Sequence, residues 1–162
     1  MSDILVVYYS QANGNTRRIA EQIHQIHGYD ILEIETLKPY TGSYNEIVKR
    51  GQWEVDHKYE PELKPINFNL SQYSTIILGT PTWWYTMAPA MLSFIKSYDW
   101  TGKTIIPFQT HGGWPGHVID DIKDICKGAT FKKENAIQFD SNGGNILITY
   151  EKEIQEWINQ LF

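Results

Sequence analysis

A chain of 162 residues with 41% hydrophobic and 20% charged residues can enclose a substantial core and is too apolar to stay unfolded. Its formal net charge of -5 argues against a nucleic-acid partner, which needs a basic face. The single cysteine, Cys126, excludes an intramolecular disulfide and a thiolate metal cluster, and no apolar run reaches the ~20 residues of a membrane helix.

Residues 4–9 are a continuous apolar and aromatic run, the pattern of a strand buried on both faces. The chain enters this run directly after Met1-Ser2-Asp3, without a basic leader, so the expected compartment is the reducing cytoplasm. Ile19, Ala20, Ile23 and Ile26 then recur at helical spacing, and Gly28 ends that helix. Residues 31–35 alternate, as expected of a second strand near a sheet edge. The stretch 38–70 is irregular: Ser43 can cap a short helix to about Gln52, and Pro61 and Pro65 predict an extended surface segment. Residues 75–79 read as the third strand and about 88–98 as a helix. A fourth strand over 104–109 precedes a helix over 117–126 that turns Asp120, Asp121 and Asp124 outward. A short fifth strand over 136–139 and a helix from about Thr149 complete the chain. This alternation predicts a single α/β domain over 1–162, three layers doubly wound around a five-stranded parallel sheet.

Three loops follow strands, and loops at the carboxyl ends of neighbouring parallel strands converge on one crevice. The first reads Ser10, Gln11, Ala12, Asn13, Gly14, Asn15, Thr16. It runs from a strand into a helix, so the first amides of that helix offer an anion site without any basic side chain. Gly14 permits close approach, Ser10 and Thr16 add hydroxyls, Asn13 and Asn15 add amide donors, and Thr16 stands at a capping position. A capped turn without ligand is the competing reading. The loop lacks the Gly-Lys-Ser/Thr of a P-loop and the spaced glycines of a dinucleotide fingerprint.

The second loop reads Pro81, Thr82, Trp83, Trp84, Tyr85. Three consecutive large aromatics cannot all face inward, so at least one is expected to be exposed or to cover a flat ring, with a hydrophobic plug or a partner-docking patch as the alternative. The third reads Thr110, His111, Gly112, Gly113, Trp114, Pro115, Gly116, where bare glycine amides can approach a heteroaromatic edge. A metal reading of His111 and His117 fails for want of a third ligand; they read as a hydrogen-bonding or packing residue and a helix-start residue. A phosphate cradle beside two ring-holding loops suits flavin mononucleotide (FMN), and suits AMP less well because two aromatic walls fit a wider ring.

Tyr9 to Arg17, Gly79 to Trp84, Gly102-Lys103-Thr104 and Thr110 to Gly113, in this order and spacing, resemble the flavodoxin-like family over nearly the whole chain, in its short-chain form. The resemblance implies strand order 2-1-3-4-5 with FMN at the switch point between the first and third strands. Two departures stand out. Ser10 lies one residue further from Gly14 than in many relatives, with Asn13 where a hydroxyl residue is usual, and Tyr85 stands where many relatives carry glycine. In flavodoxins a peptide at that loop flips on reduction, and a bulky residue disfavours the positive φ involved. The expectation is weaker stabilisation of the neutral semiquinone.

The resemblance implies a flavodoxin-type FMN electron carrier that serves a redox partner protein, with neither nucleic acid nor membrane as partner. The outward aspartates could steer a basic partner, although a solvated helix face explains them equally. An NAD(P)H-dependent flavin or quinone reductase on the same fold is the alternative, favoured by Tyr85. A cofactor-free module docking a partner through Trp83, Trp84 and Tyr85 is the remaining one.

Overall fold

The computed structural model describes residues 3–11 and 13–162. The apolar run forms β1 (Ile4–Tyr8), whose five residues are all buried. It lies between the parallel strands β2 (Asp30–Glu33) and β3 (Thr75–Trp83), with Val7 opposite Leu32 on one side and Leu78 on the other. After the two-residue β4 (Thr86–Met87) comes β5 (Thr104–His111), parallel to the far side of β3. β6 (Thr130–Phe131) and β7 (Asn135–Gln138) both pair in parallel with β5. The path β2-β1-β3-β5-β6 follows the expected order.

Side chains alternate across this sheet and feed two cores. Leu5, Val7, Ile76 and Leu78 face α3 (Pro89–Lys96) and α4 (Val118–Ile125), with α2 (Tyr44–Asp56) beside them. Val6, Ile77 and Ile106 face α1 (Asn15–His27) and α5 (Glu151–Asn159), which supply Ile19, Ile23, Ile154 and Ile158. α1 stops as predicted at Gly28, whose φ of 73° lets its amide return to His24 O. β2 is half-buried throughout, as an edge strand should be.

Seven strands replace the five expected. The edge line beside β5 is split because Lys133 adopts φ 50° between β6 and β7, which interrupts pairing. β4 arises because Trp84 and Tyr85 form a two-residue hairpin turn that folds Thr86 back against Trp83. β3 also runs four residues beyond the predicted Gly79, and α2 four beyond Gln52. Pro81 is tolerated within β3 at the end of the sheet, opposite Thr110. Among the described residues no helix is long and apolar enough to cross a membrane.

Candidate functional site

Each parallel strand delivers its C-terminal end to the same edge of the sheet. A cavity of about 290 Å³ opens there, at the ends of β1, β3, β5 and β7. Ten of the predicted residues line it: Gln11, Asn13, Asn15, Thr16, Pro81, Thr82, Trp83, Thr110, His111 and Gly112.

The phosphate-loop side is built around Gly14, which is the residue preceding α1 at φ 70°. Gly14 has no side chain to cap this helix, and among the described residues a side chain takes only the Arg17 amide of the first turn, so the Asn15 and Thr16 amides are left for a ligand. The side chains expected to contact an anion are otherwise occupied. Ser10 Oγ accepts the amide of Arg17 at 3.2 Å and does not line the cavity. Thr16 is not the cap, because Gly14 takes that place; it lies in the first turn, buried, with Oγ1 2.8 Å from Thr110 Oγ1. That contact ties the loop after β1 to the end of β5. Asn13 donates to Gly143 O, and Asn15 donates to Gly144 O at 2.9 Å. Arg17 in the first turn is spent on Glu33 and Tyr8, which raise its pKa. An anion here meets backbone amides first. Ala12 lies outside the described residues.

The ring-holding side is strand rather than loop. Pro81, Thr82 and Trp83 belong to β3, and Thr110 and His111 to β5. Thr82 Oγ1 lies 2.8 Å from Gln109 Oε1 and 3.0 Å from Thr110 O, which locks the two strand ends together. Trp83 is held edge-on by Tyr9 and Tyr40, with centroids 6.0 and 5.2 Å away. Behind it Tyr40 donates to the buried carboxylate of Glu54, which Arg50 pairs at 3.0 Å while its guanidinium lies over the Tyr40 ring. The irregular stretch after Lys38 thus forms the support of the tryptophan wall.

Trp84 and Tyr85 take the other direction. Their φ values of 44° and 70° have the signs a two-residue I′ connection requires, although neither residue is glycine. Trp84 consequently lines a separate cavity of about 470 Å³ with Met87, Leu92 and Ile125, and Tyr85 is exposed. Tyr85 O accepts the His117 amide at 2.7 Å, and a Cβ on Gly116 would collide with that carbonyl. Gly113 and Trp114 also stay outside the first cavity, Trp114 on the exposed surface.

His117 is the residue preceding α4, as expected, and sits against Asp121, which also accepts from Thr86 Oγ1 at 2.6 Å. Asp121 is therefore half-buried and engaged, whereas Asp120 and Asp124 face solvent. Cys126 is buried, and its thiol is pushed up to about 12 by that burial, the state of a small core hydrophobe.

Sequence reasoning missed one wall. Phe139, Asp140, Ser141, Gly143 and Gly144 follow β7 and line the cavity opposite the first loop. Asp140 organises this turn by accepting the amides of Asn142, Gly144 and Ile146 at 3.1, 2.9 and 2.8 Å, and these bonds hold its carboxyl below the usual carboxylate range. Gly112 fits closely here, since a Cβ would press on Asp140 O at 3.1 Å. The signal was present: a glycine pair directly after the fifth strand, in the place where the other site loops were found.

The same fold occurs in known proteins. A candidate flavoprotein from Bacteroides eggerthii superposes with a TM-score of 0.77 at 29% identity, covering 98% of this chain and 97% of that one. A flavoprotein of Lactobacillus acidophilus, solved in complex with FMN, gives a TM-score of 0.69 at 20% identity over 84% of this chain and 93% of its own. The Escherichia coli protein named uncharacterized NAD(P)H oxidoreductase YcaK is 23% identical over 147 residues, 75% of this chain and 74% of that protein. The flavodoxin family model matches residues 3–161. With that match across a parallel sheet whose strand ends meet at one cavity, the chain belongs to the flavodoxin family.

Proposed function

We propose that this chain binds FMN in the cavity at the strand ends and works as a redox flavoprotein. One observation carries the reading: a helix start at which, among the described residues, a side chain takes only the Arg17 amide borders the same cavity as the tryptophan wall and the glycine-bearing end of β5. The residues fit the group. The first-turn amides of Asn15 and Thr16 suit a phosphate; Trp83 on one side and His111 and Gly112 on the other suit a flat ring. FMN in the Lactobacillus acidophilus relative supports the same assignment. Bound flavin supplies one- and two-electron redox chemistry; the protein binds it, orients it and shields it from water.

Between carrier and NAD(P)H-linked reductase, the hairpin turn favours the second. Swinging the Tyr85 carbonyl toward a ring would break its hydrogen bond from His117, and β4 pairing restrains the turn from the other side. A turn so restrained offers little response to a single electron, and suits transfer in pairs. The name of the Escherichia coli relative agrees with this use.

An anaerobic titration tests both levels. Purified protein should quench the fluorescence of added FMN and hold it through gel filtration. NADH or NADPH should then bleach the bound flavin directly. Reduction by dithionite or a partner reductase alone would return the reading to an electron carrier, and failure to retain FMN would overturn it altogether.

A further inference from the structure

His111 ends β5, and its main chain is fixed there: its carbonyl accepts the Phe139 amide at 2.8 Å, and it sits in register with Gln138. Its ring is fixed too. The Gly113 amide donates to His111 Nδ1 at 3.0 Å, and Gly113 reaches back in this way at φ 119°, a conformation other residues adopt only under strain. A backbone amide can only donate. Nδ1 must therefore present its lone pair, which leaves the imidazole proton on Nε2. Protonating Nδ1 would set two N–H groups against each other.

The surroundings agree with a neutral ring. Burial pushes His111 below the ordinary histidine range. Asp140, a carboxylate lining the same cavity, is occupied by three backbone amides.

We propose that His111 is held as the neutral Nε2–H imidazole and donates that proton, as a hydrogen bond, to an acceptor on the edge of the bound ring. The inference rests on the FMN reading above and adds a positioning and tuning residue to it. A flavin that gains electrons concentrates negative charge on its acceptor edge. A fixed donor in a partly water-excluded cavity therefore stabilises the reduced form more than the oxidised one. The proton stays on the imidazole; Gly113 holds the ring so that this nitrogen, and not Nδ1, is available.

Two measurements test this. Imidazole 15N spectra of the flavin-free protein at neutral pH should show His111 with a protonated Nε2 and an acceptor Nδ1; the opposite tautomer, or a doubly protonated ring, overturns the proposal. Midpoint potentials of the FMN-loaded protein give the second test. His111→Phe should weaken reduced relative to oxidised FMN about tenfold, a fall of about 30 mV for a two-electron couple. His111→Gln, which retains an N–H donor, should recover most of that loss. An unchanged potential in His111→Phe overturns the role of His111 and leaves FMN binding standing. Wild-type protein that retains no FMN overturns both. Should His111→Phe fail to fold, the tautomer and the His111→Gln potential decide, a fall as large as tenfold in the latter counting against the proposal.

Discussion

The helix that begins at Tyr44 completes its own first turn, because Ser43 Oγ accepts the Glu46 amide at 3.2 Å on an exposed surface. The helix that begins at Asn15 follows a left-handed glycine with no side chain, gives its Arg17 amide to the more distant Ser10 Oγ at 3.2 Å, and starts beside the cavity at the strand ends. Both starts carry the same partial positive charge from aligned peptide dipoles. One points it at open surface; the other points it where a dianion can reach. A helix start that meets a cavity is thus a binding feature, and one on open surface is a structural feature. The start of α4 is a third case, since the His117 amide there is claimed by the Tyr85 carbonyl across the hairpin.

Gly14→Asp should break the comparison most severely. Aspartate tolerates the left-handed region, and as the residue preceding α1 its carboxylate would compete for the first-turn amides and bring a like charge to an anion bound there. A cap is worth ~1 kcal/mol and like charges ~4 Å apart at an effective dielectric of ~20 repel by about 4 kcal/mol, together enough to weaken FMN binding at least ~100-fold. Fluorescence titration measures it, and unchanged affinity would place the anion elsewhere. Ser43→Ala is the reciprocal change: it should cost about 1 kcal/mol in chemical denaturation and leave FMN affinity where it was. Tyr85→Gly should have the smallest effect on stability. It relieves one left-handed residue at a cost in chain entropy, a net gain of about 0.5–1 kcal/mol, and keeps the carbonyl that His117 needs. Redox titration of that variant should show a larger fraction of flavin holding a single electron; no increase would mean that the turn is not what restrains it.

Much of the site was readable in the chain. The loop around Gly14, Trp83 and Gly112 stood out because each follows an apolar run and breaks its pattern, whereas Trp84 and Gly113, singled out on the same ground, do not line the first cavity. The turn after β7 escaped because Asp140, Ser141 and the two glycines read as an ordinary surface connection. Only when β7 pairs beside His111 do Gly143 and Gly144 come within reach of Asn13 and Asn15, some 130 positions away. The two tryptophans show the same limit. Trp83 closes β3 and Trp84 opens the left-handed turn, so the first lines one cavity and the second the other. Their rings nevertheless both close on Gly51 of α2, where an added Cβ would sit 3.1 Å from Trp84 and 3.3 Å from Trp83.

Periodicity and turn chemistry belong to neighbours in sequence, so the order of strands and helices, the stop at Gly28 and the cap at Ser43 could be read from the residues alone. The branching of the edge strand at Lys133 and the left-handed hairpin at Trp84 and Tyr85 depend on which distant backbone groups arrive beside them. Those contacts are set by sheet register and packing, and they exist only once the whole chain has folded.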